Sequence, residues 1–566
     1  MPILNNEIIS YNLIYTGRRE TLIEDFLANN ITQYIFLNDL LIVIYVDENF
    51  NEDTLKNISQ IVWWENACSM SSLINITDNL SQGQNALEAA GISLQGDGLY
   101  SNLQGEGIVV ALIDSGIDYL NQDFINEDGT SKILYLWDQE SDYGSPPEGM
   151  LFGSEFTKEE INQAISQNNK NLSMDEMGTG TMAAGIIVSQ GKNTPNYRGI
   201  APKVELIVVK LRSYISLFKE GRINYKNTDF LVAIAYVIKK FKEILRPVII
   251  NLTVGTISGR NNEHSLLNTF DELYQSGLIL VSGAGNQGNT DIHYSGRVSN
   301  DESRDVTFQV GQDKNLSILV EGFRVDKFGI AVISPLGEIS TTVFYGPNFD
   351  SFGGKFNLEN VDYTITYSYP WMSTTSMQVV INLKNVHSGI WTLRVIGEDI
   401  IDGSFDLYLP NKNLISQDTR FIDSDSNATI TRYGLLREAI TVGTYNTNSN
   451  SIWVGSSKDQ DSVGNTIILD IVAPGVNIIS NYLDNSFNTG TGTGISSSVV
   501  CAVIALLIEF IINQTEFYRL SIYSEPIKTY LMLGATQKSI YTYPNPSYGY
   551  GVLDYQKTLD IISENL

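Results

Sequence analysis

The sequence predicts an α/β protein built on a parallel sheet, with a small ferredoxin-like module before it and an all-β jelly roll inserted into it. Three observations predict this. Val- and Ile-rich strands alternate with helices from Gly107 onward. That alternation stops between about residues 297 and 412, where eight short strands follow one another without a helix. The first 75 residues carry a β-α-β-β-α-β order of their own.

In residues 1–75, strand YNLIY precedes the helical stretch RRETLIEDFLANN. Strands QYIFLN and LLIVIYVDE follow, then helix EDTLKNISQI and a last strand, WWENACSM. This is the ferredoxin-like plan. Residues 76–105, polar with Gly and Ser, read as a connector. The first part of the α/β domain occupies 106–296, with strands IVVALID (108–114), KVELIVVKLR (203–212), PVIINLTVG (247–255) and LILVSGAGN (278–286). Amphipathic helices such as NTDFLVAIAYVIKKFKEI (227–244) lie between them. Continuous apolar strands separated by helices imply a parallel sheet covered on both faces.

The inserted module, 297–412, contains DVTFQV, NLSILVEGF, FGIAVISP, TTVFYG, YTITYSYP, SMQVVINLK, GIWTLRVIGE and GSFDLYLP. Period-two alternation with Gly, Pro and Asn punctuation reads as a sandwich, and eight strands suit a jelly roll. The α/β pattern resumes over 413–566 with EAITVGTYN (438–446), LDIVAPGVNII (469–479), a helix from near Ile495, and YGYGVLD (548–554).

The formal charge of −28 argues against nucleic acid as a partner, because phosphate binding needs clustered Lys and Arg. The acidity is spread along the chain, which reads as solubility. Cys68 and Cys501 are far apart and outside metal-ligand spacing, so neither a disulfide framework nor a zinc site follows. The acidic stretches NEDGT (126–130) and DSDSN (423–427) lack the ligand spacing of a calcium loop and read as solvated turns. No metal or cofactor is implied. MPILNNEIISYNLIY lacks the basic and apolar regions of a secretory signal. The apolar run VVCAVIALLIEFII (499–512) carries Glu509 and is short of the ~20 residues a bilayer needs. A soluble protein with a buried helix is expected.

Five motifs in order resemble the subtilisin-like serine proteases. ALIDSGID (111–118) is similar to the family's catalytic-aspartate motif and places Asp114 there. GTGTMAAG (178–185) resembles its histidine motif, but Thr179 stands where the histidine would be. NLTVG (251–255) resembles the substrate-binding strand through Thr253, Val254 and Gly255, and SGAGNQG (282–288) the oxyanion motif through Asn286. The serine motif, TGTGTGISSSVVCAVIALL (489–507), admits two registers, with Gly492 or Gly494 at the nucleophile. The family's spacing to Leu506 and Leu507 selects Gly494, and either choice leaves a glycine.

The three histidines, His264, His293 and His387, have no motif context and read as surface or structural residues. Ser496, Ser497 and Ser498 lie two to four positions past Gly494 and read as helix capping and packing. A nucleophile tolerates displacements of about 1 Å and needs an adjacent base. The expectation is therefore no enzyme, with Asp114, Thr179 and Gly494 as degenerate triad positions. Self-cleavage needs the triad, so residues 1 to about 75 are expected to stay attached, with the connector in or near the cleft.

The combination of front module, protease-like domain and inserted jelly roll resembles the Csp proteases of clostridial spores, and within them the CspC-type pseudoproteases. That resemblance implies a spore protein acting in germinant signalling. Its implied partners are an active Csp protease, the cortex-hydrolase zymogen which that protease activates, and a small germinant such as a bile salt. A structural scaffold or chaperone for an active homologue, without a ligand of its own, is the alternative.

Overall fold

The computed structural model describes residues 8–92, 102–192, 194–257, 265–322, 325–344, 351–368, 377–460, 467–514 and 522–565. Strands Ile8–Tyr15, Gln33–Phe36, Leu41–Asp47 and Ile61–Asn66 form an antiparallel sheet in which Ile8–Tyr15 pairs with both Leu41–Asp47 and Ile61–Asn66. Helix Arg19–Ala28 closes one face with Leu22 and Phe26. The module docks on the start of helix Asn227–Ile244. Ser10 Oγ lies 2.9 Å from Thr228 Oγ1, and Tyr45 Oη donates to Asp229 at 2.9 Å.

The last strand is shorter than the sequence predicts. WWENACSM breaks after Asn66, and Ser69–Ser72 joins a different sheet, between Ile223–Lys226 and Val254–Gly255. There its backbone groups find partners on both sides, which an edge of the first sheet would not offer. The connector is likewise more ordered than its composition suggests. Asn75–Thr77 pairs with Phe487–Thr491, and Gln84–Asn85 with Ile478–Asn481. Its residues 93–101 lie outside the described residues.

The central sheet runs Ser154–Thr157, Ile133–Asp138, Glu205–Lys210, Val109–Asp114, Val248–Leu252, Leu278–Gly283, Ala439–Asn446, the last pairing in parallel with Ile471–Pro474 and antiparallel with the short Ser451–Ile452. The pairs inside it are parallel and the Ser154–Thr157 edge is antiparallel. Alternation divides each strand between two cores. Val110 and Leu112 pack with helices Thr179–Val188 and Thr493–Gln514. Val109, Ala111 and Ile113 face helix Asn227–Ile244 on the other side. Thr493–Gln514 is long and apolar enough to cross a membrane, but 94% of its most apolar window is buried inside the protein. Its hydropathy is that of a central helix.

The insertion is a sandwich of two antiparallel sheets. One contains His293–Arg297, Ser404–Tyr408, Asn315–Gly322, Met377–Lys384, Val361–Ser368 and Ser351–Phe356, in that order. The other contains Lys327–Ile333, Gly389–Asp399, Ser303–Val310 and Arg420–Phe421. Trp391, Phe308 and Leu407 are buried between them. Two details differ from expectation. Of TTVFYG the described residues, 341–344, make one bridge, Val343 to Ile330, instead of a strand, and 345–346 lie outside the described residues. Ser351–Phe356 is a strand that alternation could not reveal, because it is an edge exposed on both faces as far as Lys355. In YGYGVLD, Val552 bridges Val472 and Thr536 singly.

Candidate active site

The residues singled out by motif gather at the carboxyl ends of the central strands, where open α/β sheets place their sites. Asp114 ends its strand and is 1% exposed. Its carboxylate accepts from Ser115 N at 2.6 Å and from the hydroxyls of Thr179 and Thr253. Among the described residues no histidine joins these partners. Burial pushes the Asp114 carboxyl up to about 6, against the pull of the Thr179 and Thr253 hydrogen bonds.

Thr179 opens its helix after Gly178, whose φ of 78° suits glycine. Its hydroxyl also lies 2.9 Å from Ser115 Oγ, which accepts from Gly180 N at 3.0 Å. Gly180 is required by contact, since a Cβ there would sit 2.0 Å from the Gly116 carbonyl oxygen. Asp175, which no motif signalled, holds this helix start by accepting from Thr181 N, Thr181 Oγ1 and Gly178 N at 2.7–3.0 Å.

Asn286 and Gly494 meet over a peptide bond of the chain itself. Asn286 Oδ1 accepts from Thr493 N at 2.9 Å and Thr493 Oγ1 at 3.0 Å. Its Nδ2 donates to the Leu73 carbonyl oxygen at 2.9 Å, and Gly494 N donates to the same oxygen at 3.0 Å. Leu73 N in turn donates to Thr253 O at 2.7 Å. Val254 and Gly255 pair antiparallel with Ser72 and Ser71. Asn411, also unsignalled, ties the two strands by donating to Ser71 Oγ and Gly255 O, each at 2.9 Å. From Ser69 to Thr77 the chain therefore runs through the cleft with Leu73 at its centre.

Of the two glycines in the ambiguous motif, Gly494 is the one whose N–H shares the Leu73 carbonyl with Asn286. A Cβ on Gly494 would lie 3.1 Å from the Leu73 carbonyl carbon. Gly492 has φ 140°, and a Cβ there would lie 2.2 Å from the Leu73 oxygen. The three serines are buried and occupied elsewhere. Ser496 bonds Thr444 and Ala473 O, while Ser497 and Ser498 bond Asn251 and Gly494 O.

His293 is held inside the sandwich base, with Nε2 at 2.9 Å from Asp406 and its ring stacked on Tyr408. His387 is exposed on a sandwich turn. His264 lies outside the described residues. Asp128 and Asp425 each serve a local turn, through Thr130 and Asn427. Cys68 and Cys501 are free.

The model of the subtilase family matches residues 105–346 and 411–551. The chain belongs to the subtilase family. The unmatched 347–410 of this subtilase falls within the inserted sandwich. Among solved structures, the CspB protease of Clostridium perfringens is similar to this subtilase with a TM-score of 0.71 and 26% identity, over 82% of this chain and 95% of that one. The epidermin leader peptide processing serine protease of Staphylococcus aureus is similar at a TM-score of 0.49 and 13% identity, over 98% and 99%. No curated protein matches.

Two donors converging on one carbonyl oxygen form the geometry that stabilises an oxyanion in acyl transfer. In this subtilase they hold an intact peptide bond. The sequence predicts the connector, 76–105, in or near the cleft; the residues at the donors, Ser71–Leu73, lie just before that boundary, where SMSSLINIT carries no signal beyond a short polar–apolar alternation.

Proposed function

We propose that this subtilase is a proteolytically inactive member of the Csp group, most like its CspC-type pseudoproteases. Thr179 and Gly494 occupy the positions of the base and the nucleophile. The observation that carries this reading is the Leu73–Ile74 bond, bound between Asn286 Nδ2 and Gly494 N with no side chain on residue 494 to attack it. Removing the serine or the histidine of such a triad costs about 10⁶-fold in turnover, or roughly 8–9 kcal/mol. Oxyanion donors and binding alone leave about 10³–10⁴-fold over water. Peptide bonds are stable at that level.

In this reading the protein acts in the spore as a regulator of germination, upstream of an active Csp protease that activates a cortex-hydrolase zymogen. The likeness to the CspB protease over 82% of the chain supports placement in that group. The self-occupied cleft supports a role through binding. The test has two arms. Intact chain free of other proteases is assayed against activated peptide esters, where turnover above the buffer rate would end the pseudoprotease reading. The chain is then added to an active Csp protease and its zymogen, where an unchanged rate and yield of zymogen cleavage would end the regulatory reading.

A further inference from the structure

A cavity of about 310 Å³ lies where the N-terminal module, the central domain and the sandwich meet. That volume is at the lower end of small-molecule sites, and such sites favour domain junctions. One wall is the end of the N-terminal module around Trp64 and Glu65, continuing through Cys68 into the strand that fills the cleft. The facing wall is the outer surface of the larger sandwich sheet. There Leu319, Val380 and Thr366 stand in one cross-strand row, with Ser317 opposite Asn382 in the next row of that face. Between the walls is Arg432, 6% exposed.

The charges are unevenly satisfied. Glu65 is ringed by donors, with Arg432 at 3.2 Å, Asn12 Nδ2 at 3.1 Å and Asn227 Nδ2 at 3.0 Å. Glu52 accepts from Trp64 Nε1 at 2.7 Å. Arg432 gives one terminal nitrogen to Glu65 and also feels the charge of buried Glu321, but its Nε is buried without a hydrogen-bond partner. A buried guanidinium N–H left unpaired costs more than a neutral one. The group that answers it best is a carboxylate, which matches the planar fork and adds charge assistance.

We propose that this cavity binds a small organic acid. Its carboxylate accepts from Arg432, its apolar body lies on Trp64, Leu319 and Val380, and its far end meets the hydroxyls of Ser317 and Thr366. This site is separate from the cleft and stands whether or not the chain cleaves peptides.

The test titrates the intact chain with hexanoate, phenylacetate and 4-hydroxyphenylacetate, each against its primary amide, by calorimetry and thermal shift. At least one acid is expected to bind saturably and raise the melting temperature, with its amide weaker by about tenfold or more. Thr366→Trp fills the cavity from the sandwich side, leaves Arg432 and Glu65 in place, and is expected to abolish binding. Arg432→Lys keeps a cation beside Glu65 and is expected to weaken the acid by about tenfold. If that variant does not fold, Thr366→Trp decides. Saturable binding by none of the acids, equal binding by an amide, or undiminished binding to Thr366→Trp would each overturn the proposal.

Discussion

Asn286 Nδ2 stands 2.9 Å from the carbonyl oxygen of Leu73, on a peptide bond that belongs to the same chain. A side chain placed to stabilise a reaction intermediate thus works as an anchor for a retained segment. The same amide accepts from Thr493 N and Oγ1, so it ties the cleft strand to the start of the central helix. Retention of the N-terminal module is what the proposed inactivity would lead to. The strand that leaves it is hydrogen-bonded on both sides and at its carbonyl, which would hold it in the cleft.

Rebuilding the triad positions should reveal the register. In the double variant Thr179→His/Gly494→Ser, a serine Cβ would sit 3.1 Å from the Leu73 carbonyl carbon, with Ile74 Cγ1 giving way from 2.7 Å. Near-attack distances are about 3–3.5 Å for the attacking oxygen, and an Oγ carried on that Cβ can come within this range of the Leu73 carbonyl carbon. Slow self-cleavage with a product beginning at Ile74 is expected, read by intact mass and N-terminal sequencing. A product that begins elsewhere would sink the assignment of Gly494.

Asn286→Ala should act on stability, because the residue holds structure together in the resting protein. It removes the bond to Leu73 O and leaves Thr493 N and Oγ1 without their acceptor, all in buried surroundings. Unsatisfied buried groups cost about 1–3 kcal/mol each, so a loss of about 2–4 kcal/mol is expected in urea unfolding. A midpoint equal to that of the unmodified chain would contradict the anchoring role.

Much of this architecture was legible because strands buried on both faces must be apolar at every position. IVVALID and LILVSG have no other stable place than the middle of a covered parallel sheet. Asp114 and Asn286 were legible through the resemblance of ALIDSGID and SGAGNQG to the subtilisin-like motifs. Leu73 was not. Its place depends on pairing with Val254 and Gly255 far along the chain, and a short strand held by backbone bonds leaves little trace in side-chain pattern. Asp175 and Asn411 were missed for a related reason: each satisfies backbone or hydroxyl groups through tertiary geometry, and a lone Asp or Asn in a loop looks like any turn residue.

Gly180→Ala tests the close approach that aligns Asp114 with Thr179. The added methyl would meet the Gly116 carbonyl oxygen at 2.0 Å, and that oxygen is backbone and cannot rotate away. The helix start must shift, loosening the Gly180 N to Ser115 Oγ bond as well. Overpacking of this kind costs about 1–3 kcal/mol. Helix propensity alone would favour alanine by ~1 kcal/mol, so the two ideas predict opposite signs in denaturant unfolding. A stabilised variant would show that the contact is slack.

Asp114→Asn tests whether the carboxylate has lost its charged partner. A histidinium beside Asp114 would pull its carboxyl down, whereas here burial pushes it up to about 6, from an ordinary 3.8. A raised carboxyl binds its proton more tightly folded than unfolded. Its contribution to stability is therefore full below about pH 3.8 and lost as pH rises through 6. Asp470, also near 6 and 3.0 Å from Lys528, adds to the same window, so the variant must be compared with its parent at each pH. Asparagine keeps an oxygen where Oδ1 accepts from the Ser115 amide and the Thr179 hydroxyl, and the Thr253 hydroxyl can turn to accept from its NH₂. Between pH 4 and pH 7 the variant should gain on the parent by up to about 3 kcal/mol in urea unfolding. A difference that stays flat across this range, or that favours the parent as pH rises, would mean that Asp114 is stabilised as an ion by a cation near it.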